Sequence, residues 1–173
     1  MARTVQVVGT GQLLEMSRRL KVAGGSRLKA NFARRIRRAA EPLKADMQQT
    51  IRTLPIRSEP RKAGKRGGPS PTSRPLRDTV ARAVSLSIRT GGNPGARLYA
   101  DKGKLPPDLK NMPWVMNSAN GRIRHPTFGN KGRGGWANQW TTPLWWDKTV
   151  AKHQPRIRSE VARVLADVRN SLS

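Results

Sequence analysis

Apolar residues recur in steps of three and four through residues 26–54, at Leu28, Phe32, Ile36, Ala39, Ala40, Leu43, Met47, Ile51 and Leu54. That spacing lines one face of a helix, and Arg34, Arg35, Arg37, Arg38 and Lys44 fall mostly off it. Ser26 is the expected N-cap and Pro55 closes the element. Pro42 lies inside the stripe and is expected to kink or split the helix, because it lacks one backbone donor. A second helical stripe ends the chain, at Val150, Ile157, Val161, Val164, Leu165, Val168 and Leu172. Pro155 either sets the first turn of its regular part or kinks a helix begun near Pro143.

Elsewhere the period changes. Residues 3–8 are β-prone and end at Gly9, and Leu13, Leu14, Met16 and Leu20 predict a short helix that Gly24 and Gly25 stop. From Leu76 to Ala100 the alternation is period two. Val80, Val84, Leu86 and Ile88 are expected on one strand face, the Gly91-Gly92-Asn93-Pro94-Gly95 run is a turn, and Arg97-Leu98-Tyr99-Ala100 resumes a strand as a β-hairpin. Residues 101–142 read as a loop-rich aromatic segment with short extended pieces near Trp114-Val115-Met116 and Arg122-Ile123-Arg124. Residues 56–75 carry four prolines and no apolar period, which reads as an extended basic arm that orders on binding. The expectation is a single α+β domain spanning residues 1–173. In it a long N-terminal helix and a C-terminal helix pack on a small antiparallel sheet.

Composition sharpens this picture. The 173 residues hold 35 Lys plus Arg against 10 Asp plus Glu, a net charge of +25, with 35% hydrophobic residues and mean hydropathy −0.69. Self-repulsion of that size calls for a partner of opposite charge, either nucleic acid or an acidic protein surface. With no cysteine there is no disulfide scaffold, thiolate metal site or Cys nucleophile, and the two histidines, His125 and His153, are too few for most His-based metal sites. No apolar run approaches the ~18 residues of a membrane span, and no signal peptide is read at the start. The carboxylates are scattered, and the acid nearest His153 in sequence is Asp147. The Gly129–Gly135 run lacks the Gly-Lys-Ser/Thr ending of a phosphate loop. A non-enzyme without cofactor or metal is expected.

Two features remain. The arm supplies Arg57, Arg61, Lys62, Lys65, Arg66 and Arg74 as candidate partner contacts, either to phosphate or to an acidic neighbour, with a solvated loop the plain alternative. All five tryptophans fall between residues 114 and 146. They either cover a small core or serve subunit contact, with Trp136, Trp140 and Trp145 the candidates for the second role. Arg34, Arg35, Arg37 and Arg38 are candidates for a DNA-facing surface.

The order of these pieces resembles the small neck or tail-component proteins of long-tailed bacteriophages. Pro75-Leu76-Arg77-Asp78-Thr79-Val80 stands where that family opens its hairpin, and Arg97-Leu98-Tyr99-Ala100 matches its strand ending near a tyrosine. Arg124-His125-Pro126-Thr127-Phe128-Gly129, Trp136 and the Gln139 to Pro143 passage are similar to the actinobacterial-phage relatives. The acidic residue and Gly-Thr that many relatives carry near the position of His125 are missing here. The resemblance implies a virion protein assembled in the host cytoplasm. Its place is between the head connector or stopper and the tail terminator or tail tube, as a homo-oligomeric ring of sixfold order. The excess of 25 positive charges adds the expectation that one surface of such a ring, its lumen, faces genomic DNA or an acidic neighbour. The competing reading is a basic nucleic-acid-binding protein of ribosomal or nucleoid type.

Overall fold

The computed structural model describes residues 5–8, 15, 18, 26–58, 75–90, 95–126 and 136–170. In chain order the elements are β1 (Val5–Val8), α1 (Ser26–Thr53), β2 (Arg57–Ser58), α2 (Leu76–Ala83), β3 (Val84–Arg89), β4 (Gly95–Ala100), α3 (Met112–Met116), β5 (Arg122–Pro126), β6 (Trp136–Trp140) and α4 (Trp145–Asn170). The class is α+β, with two three-stranded antiparallel sheets, β1-β4-β3 and β2-β6-β5, where a single small sheet was expected.

The long apolar stripe makes α1 a single helix. Phe32, Ile36, Ala40, Leu43, Met47 and Ile51 are all buried along it. Pro42 does not split the helix; the buried Ala40 and Leu43 on either side anchor its axis where the proline removes one donor. Pro155 likewise lies inside α4, which starts soon after Pro143. The two helices and the first sheet share the core as expected. Phe32, Ile36 and Ala40 meet Ala96 and Val164, with Ile88 against them. Leu43, Met47 and Ile51 meet Val80, Val84, Leu98, Trp145 and Ile157. Leu86 and Val161 touch both groups and join them. The side chains of Leu28 and Val168 lie outside the described residues, as do the arm from residue 59 to 74, the turn at 91–94 and most of the short helix expected near Leu13.

One expected strand is a helix. Leu76–Ala83 forms α2, with the Pro75 carbonyl accepting from the Thr79 amide and from its hydroxyl, both at 3.0 Å. Val80 and Val84 are four residues apart, a separation that fits two strand repeats and also one helical turn. Asp78, paired with Arg82 one turn on, favours the helical choice, and buried Val80, Ala81 and Ala83 pack it into the core. The strand begins only at Val84, in register Leu86 opposite Leu98 and Ile88 opposite Ala96.

The described parts of the segment at 101–142 are more regular than their composition indicates. Trp114-Val115-Met116 belongs to α3 and not to an extended piece, with Pro113 tolerated in its first turn. Arg122-Ile123-Arg124 is extended as expected, within β5, and Trp136–Trp140 forms β6 beside it. The second sheet is closed at Gly121, whose carbonyl accepts from the Thr141 amide at 2.8 Å. Gly121 holds φ +68°, and a Cβ there would lie 2.2 Å from the Thr141 carbonyl oxygen. Gly121→Ala should therefore cost at least about 2 kcal/mol, from left-handed strain plus a backbone clash. In a circular-dichroism melt that is a fall of roughly 4–8 °C for a chain of this size, and an unchanged midpoint would remove the steric account.

Asn117 locks the entry to α4. Its side-chain oxygen accepts from the Trp146 amide at 2.8 Å, and its side-chain nitrogen donates to Asp147 at 2.8 Å. The Trp145 indole N–H donates to the Met116 carbonyl at 2.9 Å, so the end of α3 and the start of α4 share three hydrogen bonds. Leu144, immediately before α4, takes a left-handed φ of 52° to make this turn.

Candidate functional site

The outer face of the second sheet gathers what the sequence keeps apart. Side chains alternate across a strand, and residues paired across antiparallel strands share a face. Buried Ile123 points to the core, so its neighbours Arg122 and Arg124 point outward. Arg122 stands opposite Trp140, Arg124 opposite Asn138, and Pro126 opposite Trp136. From the other side of β6, Arg57 of β2 also stands opposite Trp140. The outer face therefore carries Arg57, Arg122, Arg124, Trp136, Asn138 and Trp140.

Local contacts organise these groups. The Arg124 guanidinium lies 4.7 Å from the Trp136 ring centre, and that of Arg122 lies 5.9 Å from the Trp140 ring. Each such contact contributes about 0.5–1 kcal/mol at an exposed site. Arg122 Nε also donates to the Asn138 side-chain oxygen at 3.0 Å. Both rings remain open to solvent, Trp136 at 39% and Trp140 at 44%. None of the three arginines contacts a carboxylate among the described residues. Two like charges about 7–10 Å apart, the spacing a sheet imposes, repel by about 0.4–0.6 kcal/mol in water. That repulsion is unrelieved within the described chain.

Five of the ten acids are committed to cations elsewhere. Asp78 pairs with Arg52 and Arg82, Glu41 with Lys44, Glu160 with Arg163 and Asp167 with Arg35. Asp46, on α1, accepts from His153 Nε2 at 2.7 Å and from Lys152 at 3.0 Å, tying α1 to α4. Asp147, the acid nearest in sequence, is therefore not the one that orients His153. The hydrogen bond from His153, followed by that from Lys152, holds the Asp46 carboxyl below its ordinary value. Its contribution to stability is full above the unfolded value near pH 4 and is lost as pH falls through the lower folded value. Stability measured against pH should fall less steeply below about pH 4 in Asp46→Asn than in the parent, and equal acid limbs would rule the linkage out.

The sequence-derived candidates divide. Arg57, Trp136 and Trp140 are brought together on the sheet face, whereas Arg61, Lys62, Lys65, Arg66 and Arg74 lie outside the described residues. Trp145 does not belong with the partner contacts: it is 1% exposed, its ring is packed edge-on against Trp146 and its N–H is bonded. Trp114 is exposed, on α3. Arg34, Arg35, Arg37 and Arg38 are all exposed on α1, with Arg34 bonded to Asn31 and Arg35 paired with Asp167. Arg122, Arg124 and Asn138 were not singled out. The signal was present in the alternations Arg-Ile-Arg and Trp-Ala-Asn-Gln-Trp, but it emerges only once both stretches are strands in register.

Among the described residues no cluster of three potential metal ligands occurs, and no helix is long and apolar enough to cross a membrane. No family model, curated protein or solved structure matches the chain.

Proposed function

We propose that this chain is a structural protein of the neck of a long-tailed bacteriophage, joining the head connector to the tail tube as a homo-oligomeric ring without catalysing a reaction. The observation that carries this reading is the position of the motif residues. Pro75–Val80 leads into and opens α2 ahead of the β3–β4 hairpin, and Tyr99 sits at the end of β4. Arg124, His125 and Pro126 close β5, Trp136 opens β6, and Pro143 precedes α4. A patch of tryptophan and arginine on one sheet face supports an assembly role as well, since those residues carry most of the energy at interface centres. Mass spectrometry of purified virions should find the chain, and a phage lacking it should accumulate unjoined heads and tails. Absence from virions, or normal joining without it, overturns the reading.

The exposed Arg34, Arg37 and Arg38 favour one addition, a DNA-facing surface in the ring lumen. Such contact to phosphates positions DNA without reading its sequence and weakens steeply with salt. Arg35 is a poor probe because Asp167 already holds it. Arg34→Glu combined with Arg38→Glu should release DNA from filled heads; failed joining with normal retention assigns these residues to a protein contact.

A further inference from the structure

We infer that the outer face of the second sheet is a docking surface for an acidic polypeptide segment of a different protein. The inference deepens the neck reading by naming the chemistry of one neighbour, and rests on it only in taking that neighbour to be a virion component.

The composition of the face chooses protein over nucleic acid. Among the described residues its cations are all arginines, Arg57, Arg122 and Arg124, whereas described lysines such as Lys148 and Lys152 lie elsewhere on the surface. Protein interfaces enrich arginine and tryptophan and deplete lysine, whereas phosphate neutralisation uses both cations. A guanidinium can bind a carboxylate through two parallel hydrogen bonds. Trp136 and Trp140 stand four residues apart on one strand, about 13 Å, too far to stack successive bases but suited to two separate apolar contacts flanking a row of carboxylates.

Charge chooses a different protein over a second copy. The chain has 10 acids against 35 bases. Asp46, Asp78, Glu41, Glu160 and Asp167 are all held by cations of the same chain. A copy docking on this face would bring mainly further positive charge. An extended acidic segment would instead project alternate carboxylates about 6.8 Å apart, the spacing of Arg122 and Arg124 along β5.

The test uses the full chain and two fluorescent probes: an extended peptide of alternating glutamate and serine with a valine at each end of its glutamate face, and a short single-stranded oligonucleotide. Anisotropy titrations compare the parent, Trp140→Ala, Arg122→Glu with Arg124→Glu, and Arg34→Glu with Arg38→Glu, which makes the same charge change on α1. Loss of the two sheet arginines, or of Trp140, should weaken peptide binding by at least about tenfold, while the α1 pair changes it by less than about threefold. The oligonucleotide should weaken at least as much with the α1 pair, which carries the DNA-facing arginines, as with the sheet pair. Equal weakening of the peptide by both pairs means that only overall charge is sensed, and overturns the inference. Selective loss of the oligonucleotide at the sheet pair overturns it in favour of nucleic acid. A smaller assembly in sedimentation for the sheet variants alone overturns it in favour of a second copy. Should the Glu variants melt early, Arg122→Gln with Arg124→Gln gives the same comparison without reversed charge. None of these readings requires a virion, so absence from virions would overturn the neck reading and leave the docking face standing.

Discussion

Ile36→Asp should abolish the cooperative melt of this protein. Ile36 is buried in the middle of α1 among Phe32, Ala40, Ala96 and Val164, with no polar partner in that group. Removing a buried isoleucine forfeits about 1.5–3 kcal/mol of apolar burial. An unbonded polar group in its place adds about 2–7 kcal/mol even when the carboxyl takes up a proton. The sum reaches the ~5–15 kcal/mol that holds an ordinary domain together. Ile36→Val removes one methyl group and should cost only about 0.5–1.5 kcal/mol. Circular dichroism of both variants checks this. An Asp variant that melts near the parent would place Ile36 outside the core and dismantle the packing of α1 on α4 and the first sheet.

Trp145→Ala should lower stability by about 3–5 kcal/mol, because it empties the largest buried side-chain site and frees the Met116 carbonyl. The melting midpoint should drop by roughly 6–20 °C. Trp145→Phe separates the two contributions: it keeps most of the ring volume but leaves the Met116 carbonyl without its donor, a loss of about 1–3 kcal/mol. This result also distinguishes the role found for Trp145 from the one its position among the tryptophans suggests. A partner contact would leave the melt of the isolated chain unchanged and alter only assembly; a core residue lowers the melt itself.

Tryptophan sorting shows where local pattern stops being informative. Trp145 and Trp146 are adjacent in sequence and both buried, because α4 begins there and the two rings meet edge to face, 5.8 Å apart. Trp136 and Trp140 occupy alternate outward positions of β6, so the largest apolar side chains of that strand face solvent and its polar neighbour Gln139 faces inward with Ala137. A strand with its large apolar residues outward reads as loop by the usual rule that apolar residues mark the inside. The same inversion that hid β6 is what makes its face a candidate for binding. His153 illustrates a second limit, since its acid partner is 107 positions away on another helix.

The sequence alone determined the parts whose free energy is local or one-sided. The 3.6-residue stripe of α1 and the stripe of α4 each expose an apolar face that water disfavours, so both helices and their buried residues follow from spacing. The excess of positive charge follows from counting and is independent of fold. Tertiary structure decided what depends on pairing between distant segments. Whether Leu76–Ala83 coils or extends was settled by burial of Val80, Ala81 and Ala83 against the rest of the core. The second sheet, and with it the meeting of Arg57, Arg122 and Arg124 around two tryptophans, exists only because β2 and β5 flank β6 in one register. A shift of one residue in that register would turn those side chains to the opposite face, and nothing in any single stretch of sequence specifies it.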